Sequence, residues 1–162
     1  MKKVFFLIFI ALCVQNLSAQ ESKNPEKIYN PALNAKNDID LAVKKAKAEG
    51  KNVMIQIGGN WCPWCIRVHK FMDADPEISQ ALKSNYVFVL VNYSKENKNE
   101  EAIEQLQNPT RFGFPAFVVL NADGKVVHIQ DSGYLEDGKS YSKEKLMRFI
   151  KLWTPKAISG EK

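Results

Sequence analysis

The chain has 162 residues, 45% hydrophobic and 25% charged, with 8 Gly and 7 Pro, which suits a one-domain globular protein and excludes collagen-like or wholly disordered chains. Its 23 Lys and Arg against 18 Asp and Glu leave a net charge of +5, spread along the chain and weaker once Lys2 and Lys3 are set aside, so nucleic acid is not an expected partner. Three cysteines are too few for a disulfide scaffold, and a chain of this length can build a core without a metal or disulfide staple.

Met1-Lys2-Lys3 is a short positive start, followed by an apolar run from Val4 to Val14, polar Gln15 and Asn16, and Leu17-Ser18-Ala19. This three-part pattern reads as a secretory signal peptide over residues 1–19, cleaved between Ala19 and Gln20. The apolar run falls short of the ~20 residues of a membrane span, so no stable membrane insertion is expected after cleavage. Cys13 follows Leu12 rather than the small residue that bacterial lipidation uses, and it leaves with the signal. The mature chain is then periplasmic or secreted and keeps Cys62 and Cys65. That compartment lacks the pool that holds thiols reduced, so the pair is chemically live.

Residues 20–37 are polar, contain Pro25 and Pro31, and read as a linker or loosely held N-terminal arm, with one domain over residues 38–162. Asn37 or Asp38 is positioned to cap a helix in which Ile39, Ala42, Val43 and Ala46 recur at helical spacing, and Gly50 ends it. Val53–Ile57 reads as a strand, Gly58-Gly59-Asn60 as a turn, and the residues after Trp61-Cys62-Pro63-Trp64-Cys65 as a second helix. Asp75-Pro76-Glu77 restarts helix. Tyr86–Val91 is a continuous apolar run and reads as a strand buried on both faces. Glu100–Leu106 can form one or two helical turns. Phe114–Leu120 reads as another buried strand, Asn121–Gly124 as a turn, and Lys125–Ile129 as the returning hairpin strand. Asp131–Tyr141 reads as loop. Ser142 caps a last helix carrying Leu146, Phe149, Ile150 and Trp153, closed by Pro155. This order predicts an α/β fold: a mixed central sheet flanked by helices on both faces, parallel where a helix connects two strands and antiparallel at the final hairpin.

The chemistry concentrates at Cys62 and Cys65. Two thiols separated by two residues at a helix start can close a small disulfide ring. The first lies where unpaired backbone N–H groups and the helix dipole stabilise a thiolate, the nucleophile of disulfide exchange. Cys62 is therefore expected to be ionised and accessible near neutral pH, and Cys65, one turn inside and more buried, to resolve the mixed disulfide. Pro63 suits the first helical turn. A purely structural disulfide and a zinc site built from Cys62, Cys65, His69 and His128 are the competing readings, but the histidines lack zinc-motif spacing and no metal is expected. Haem attachment fails because Ile66, not His, follows Cys65.

Trp61-Cys62-Pro63-Trp64-Cys65 after a strand, with Gly113-Phe114-Pro115-Ala116-Phe117 some fifty residues on, resembles the thioredoxin superfamily. The likeness spans roughly residues 38–154 and is strongest to secreted bacterial thioredoxin-like proteins related to periplasmic disulfide-handling domains. It implies a thioredoxin fold and a thiol–disulfide oxidoreductase, with a cis Phe114–Pro115 bond facing the cysteines. It also implies a substrate-contacting set of Trp61, Pro63, Trp64, Phe114 and Pro115, with Trp61 shielding the disulfide; Trp64 departs from the commonest family dipeptide, and its ring either offers an apolar partner surface or packs on its own helix. Where thioredoxins carry a buried Asp six positions before the first Cys, this chain has Gln56. A neutral amide cannot accept a proton at neutral pH. Glu100, Glu101 and Glu104 find no place near the site from sequence. His69, two helical turns beyond Cys62, reads as solvated surface.

The implied partners are protein thiols or disulfides and a membrane or periplasmic redox partner, with the protein acting as a monomer. No dissociable cofactor is implied, because the Cys62–Cys65 pair is itself the redox group. Reduction is the favoured direction, and the alternative is a thioredoxin-like binding module or metal carrier using the same cysteines.

Overall fold

Strand β1 (Asn52–Gly58) is buried at every position, because it has a strand on each edge and helices on each face. A computed structural model describes residues 27–160; the proposed signal peptide and Cys13 lie outside the described residues. β2 (Tyr86–Asn92) runs parallel to β1, β3 (Ala116–Leu120) antiparallel to it, and β4 (Val126–Asp131) antiparallel to β3, giving the order β2-β1-β3-β4. Side chains alternate across this sheet. Val53, Ile55, Ile57, Val118 and Leu120 meet Ile39, Ala42 and Ala46 of α1 (Ala35–Glu49) and Ile103 of α4 (Glu100–Gln105). Met54, Phe117 and Val119 point the other way. They meet Val68 and Met72 of α2 (Pro63–Ala74), Ile78 and Leu82 of α3 (Pro76–Asn85), and Leu146, Phe149 and Ile150 of α5 (Lys143–Leu152).

The helices start and stop on local chemistry. Asn34, not Asn37 or Asp38, caps α1: its side chain accepts from Asn37 N at 3.1 Å, so the helix opens three residues before residue 38. Gly50 ends it at φ 65°, a left-handed position that glycine takes without a Cβ penalty. Asp75 caps α3 through Glu77 N and Ile78 N, and Ser142 caps α5 through Lys145 N.

Several sequence expectations need correction. β2 is an edge strand, so Val87–Leu90 are half-buried rather than buried on both faces. β3 runs antiparallel to its neighbour although a helix precedes it. The register shows it: β2 ends with Asn92 opposite Gly58, and β3 begins with Ala116 opposite Ile57, at the same end of β1. The chain therefore re-enters the sheet at the end it left, which is the end where β1 runs into the cysteines. β3 begins at Ala116 rather than Phe114, since Pro115 has no N–H for the ladder. The stretch expected to be loop holds a 3-10 turn (Ser132–Leu135) and a small hairpin, β5 (Glu136–Asp137) with β6 (Ser140–Tyr141). Pro155 does not close α5; it opens a further short helix, α6 (Pro155–Ser159), capped by Thr154. Among the described residues, no helix is long and apolar enough to cross a membrane.

Candidate active site

β1 delivers the chain to a tight turn in which Cys62 N donates to Gly59 O at 3.0 Å. Cys62 is then the N-cap of α2. Its Sγ accepts from Cys65 N at 3.2 Å, and its carbonyl accepts from Cys65 N at 3.1 Å and Ile66 N at 3.3 Å. Pro63 occupies the first helical position and is exposed. Cys62 and Cys65 form a disulfide across a Cα–Cα distance of 5.3 Å. No acidic side chain lies in the first turn of α2, so nothing there offsets the partial positive charge of the helix start. On reduction, a thiolate at Cys62 would sit on that charge and keep the Cys65 N–H as a donor.

The expectation that Cys62 is accessible does not hold in this oxidised form. Cys65 is 0% exposed, as expected of the inner residue, but Cys62 is only 3% exposed. Ile28, Trp64, Ile66 and Leu90 pack around the pair, from its own helix and from distant segments. Phe114 packs against the cluster of Tyr29, Cys62 and Cys65. Its ring lies 5.2 Å from Trp61, edge-on, and 5.1 Å from Tyr93. Trp61 is held by its Nε1 donating to Tyr93 O at 2.8 Å while 55% of the residue stays exposed. Ala116 pairs with Ile57, which sets the preceding cis Phe114–Pro115 peptide beside the strand end that leads to Cys62. Trp64 is half-buried: it stacks edge-on with Tyr141 at 5.5 Å and carries the Arg67 guanidinium over its ring at 4.5 Å.

Beneath the disulfide, Gln56 is 0% exposed. Its Nε2 donates to Cys65 O at 3.0 Å and to the Tyr29 hydroxyl at 2.6 Å, while Oε1 is buried without a partner. Tyr29, from the segment read as a loose arm, is 3% exposed. Its backbone is gripped by Asn60, whose Oδ1 accepts from Tyr29 N at 3.0 Å and whose Nδ2 donates to Tyr29 O at 2.7 Å. Residues 27–34 are therefore docked, with Asn97 Nδ2 also donating to Pro31 O and Leu33 O.

The sequence profile of the thioredoxin-like domain family matches residues 39–144. The chain belongs to that family. Its curated relatives include thiol:disulfide interchange protein DsbD of Colwellia psychrerythraea, 30% identical over 86 residues, which covers 53% of this chain and 14% of that protein. The protein of the same name from Salmonella typhimurium is 27% identical over 101 residues, covering 62% of this chain and 17% of that one. The chain thus spans a small fraction of the length of these relatives. A disulphide isomerase from Xylella fastidiosa superposes with a TM-score of 0.69 at 23% identity, over 78% of this chain and 95% of that one. At that identity the likeness speaks for the fold alone.

Within this thioredoxin-like domain, the remaining candidates lie apart from the cysteines. His69 is half-buried rather than fully solvated, its Nε2 lying 3.3 Å from Asp73 and its ring against Phe88. His128 stacks on Trp153 at 4.1 Å. Among the described residues, no group of three or more His, Cys, Asp and Glu is placed to hold a metal ion. Glu100, Glu101 and Glu104 are exposed on α4. Sequence reasoning missed Tyr29 and Tyr93. Their only signals were an aromatic following Ile28 in a polar stretch and an aromatic just past a strand.

Proposed function

We propose that this domain is an extracytoplasmic thiol–disulfide oxidoreductase, working chiefly as a reductase of protein disulfides. The observation that carries the reading is the Cys62–Cys65 disulfide at the start of α2, with Cys62 as the N-cap and Phe114-Pro115 alongside. The names of the curated relatives support it, and the signal-like residues 1–19 support the compartment. In the reduced domain, the Cys62 thiolate attacks one sulfur of a substrate disulfide; a new sulfur–sulfur bond forms and the other substrate sulfur leaves as a thiolate. Cys65 then gives up its proton to water and attacks Cys62 Sγ, releasing the second substrate thiolate and closing the Cys62–Cys65 bond. Two electrons pass to the substrate, and a dithiol partner in the membrane or periplasm restores them. No dissociable cofactor takes part. Trp61, Pro63 and Phe114 form the exposed or half-exposed rim on which a substrate segment rests beside Pro115, with Trp64 at its edge, and the domain acts as a monomer.

The burial of Cys62 shapes the test. Phe114→Ala is expected to open the disulfide to a small thiol, so that dithiothreitol reduces it several-fold faster. The same change is expected to slow insulin reduction about tenfold, because an anchoring ring at the centre of a contact is commonly worth more than 1 kcal/mol. Both rates are read by insulin turbidity and by the fluorescence change of the active-site tryptophans. A wild-type protein that reduces insulin no faster than the thiol donor alone would overturn the oxidoreductase reading. It would favour a binding module, for which the covered Cys62 is the supporting observation.

A further inference from the structure

The buried pair Tyr29–Gln56 has a direction built into it. The Cys65 carbonyl can only accept, so the amide nitrogen of Gln56 must face it, as it does at 3.0 Å. The reversed amide would set Oε1 against that carbonyl. The same nitrogen lies 2.6 Å from the Tyr29 hydroxyl, so the tyrosine oxygen receives a hydrogen bond and its own proton points elsewhere. Gly58 shows where. A Cβ at Gly58 would lie 2.5 Å from Cys65 Sγ and 2.7 Å from the Tyr29 hydroxyl, so the sulfur and the hydroxyl border one small space that glycine leaves open.

We propose that Tyr29 donates a hydrogen bond to the Cys65 thiolate, with Gln56 fixing the direction of its O–H. The functional meaning rests on the oxidoreductase reading; the geometry does not. Burial pushes the Tyr29 hydroxyl well above the usual tyrosine range, which keeps it a donor rather than a base. Among the described residues, Gln56 Oε1 is buried without a hydrogen-bond partner, and the Tyr29 hydroxyl oxygen is taken up as the acceptor of Gln56 Nε2. Reduction supplies a partner for the Tyr29 proton: a Cys65 thiolate accepts from it. During resolution the Cys65 proton goes to water, the thiolate is held by Tyr29, and it then attacks Cys62 Sγ. The paired hydrogen bonds between Tyr29 and Asn60, just before Cys62, fix the phenol against this pocket.

The test uses the mature chain carrying Cys62→Ser, so that Cys65 is the one thiol, titrated by thiolate absorbance at 240 nm. Adding Tyr29→Phe, which keeps the ring and removes the hydroxyl, is expected to raise the Cys65 midpoint by about one unit, a tenfold loss of thiolate at a given pH. Gln56→Met, which removes the orienting donor, is expected to move it the same way by less. Circular dichroism and the thermal midpoint establish that each variant is folded. An unchanged midpoint in folded Tyr29→Phe overturns the proposal; should that variant not fold, an unchanged midpoint in Gln56→Met does so. Insulin reduction by the wild type is read separately. Turnover without a midpoint shift refutes this inference alone, and a shift without turnover refutes only the enzymatic reading.

Discussion

Cys62→Ser is expected to abolish insulin reduction, by at least about a thousandfold, whereas Cys65→Ala should halt the reaction one step later with substrate still attached. A serine hydroxyl at the N-cap keeps the hydrogen bonds of the helix start but is not ionised near neutral pH, so the attacking group is lost while the fold is kept. Cys65→Ala leaves the Cys62 thiolate able to attack but removes the sulfur that resolves the mixed disulfide. The two variants therefore differ in kind. The first shows no adduct on non-reducing gels after acid quenching, and the second accumulates a Cys62-linked one. An adduct in Cys62→Ser, or resolution at the wild-type rate in Cys65→Ala, contradicts the assigned roles.

Gly58→Ala is expected to destabilise the oxidised protein by about 1–3 kcal/mol, the usual range for overfilling a packed interior. The new methyl would come within 2.5 Å of Cys65 Sγ and 2.7 Å of the Tyr29 hydroxyl. Neither neighbour retreats easily: the sulfur is tied into the disulfide, and Tyr29 is held by Asn60 and Gln56. Urea unfolding of the oxidised form measures the change, and a midpoint equal to wild type would show that Cys65 Sγ and the Tyr29 hydroxyl do not stand as close to Gly58 as described.

What could be read from the sequence follows the range of the forces involved. The cysteine pair, Pro63 and the caps Asp75 and Ser142 depend on neighbours within one helical turn, so their residues announce them. The expected cis Phe114–Pro115 came through resemblance, since a proline before a strand has no local mark of its isomer. The reversal of β3 was not readable, because the connection between Asn92 and Ala116 is long enough for either direction and only the pairing of Ala116 with Ile57 fixes it. The burial of Cys62 and the place of Tyr29 were not readable. Each depends on contacts between segments far apart in the chain: Phe114 over the cysteines, and Tyr29 against Gln56 and Asn60, 27 and 31 residues away. Polar composition hid the docking of residues 27–34 because one buried ring, with hydrogen bonds from Asn60 and Asn97, holds them in place.

The account stands on a contest at Cys62. Burial among apolar side chains favours the neutral thiol, while the N-terminus of α2 and the Cys65 N–H favour the thiolate. The pH dependence of iodoacetamide alkylation at Cys62 in the reduced protein decides between them. A midpoint clearly below ~8.5, the value of a free cysteine, is the predicted result. A midpoint at or above that value would mean that the helix start does not ionise this sulfur, and the proposed exchange chemistry would lose its nucleophile.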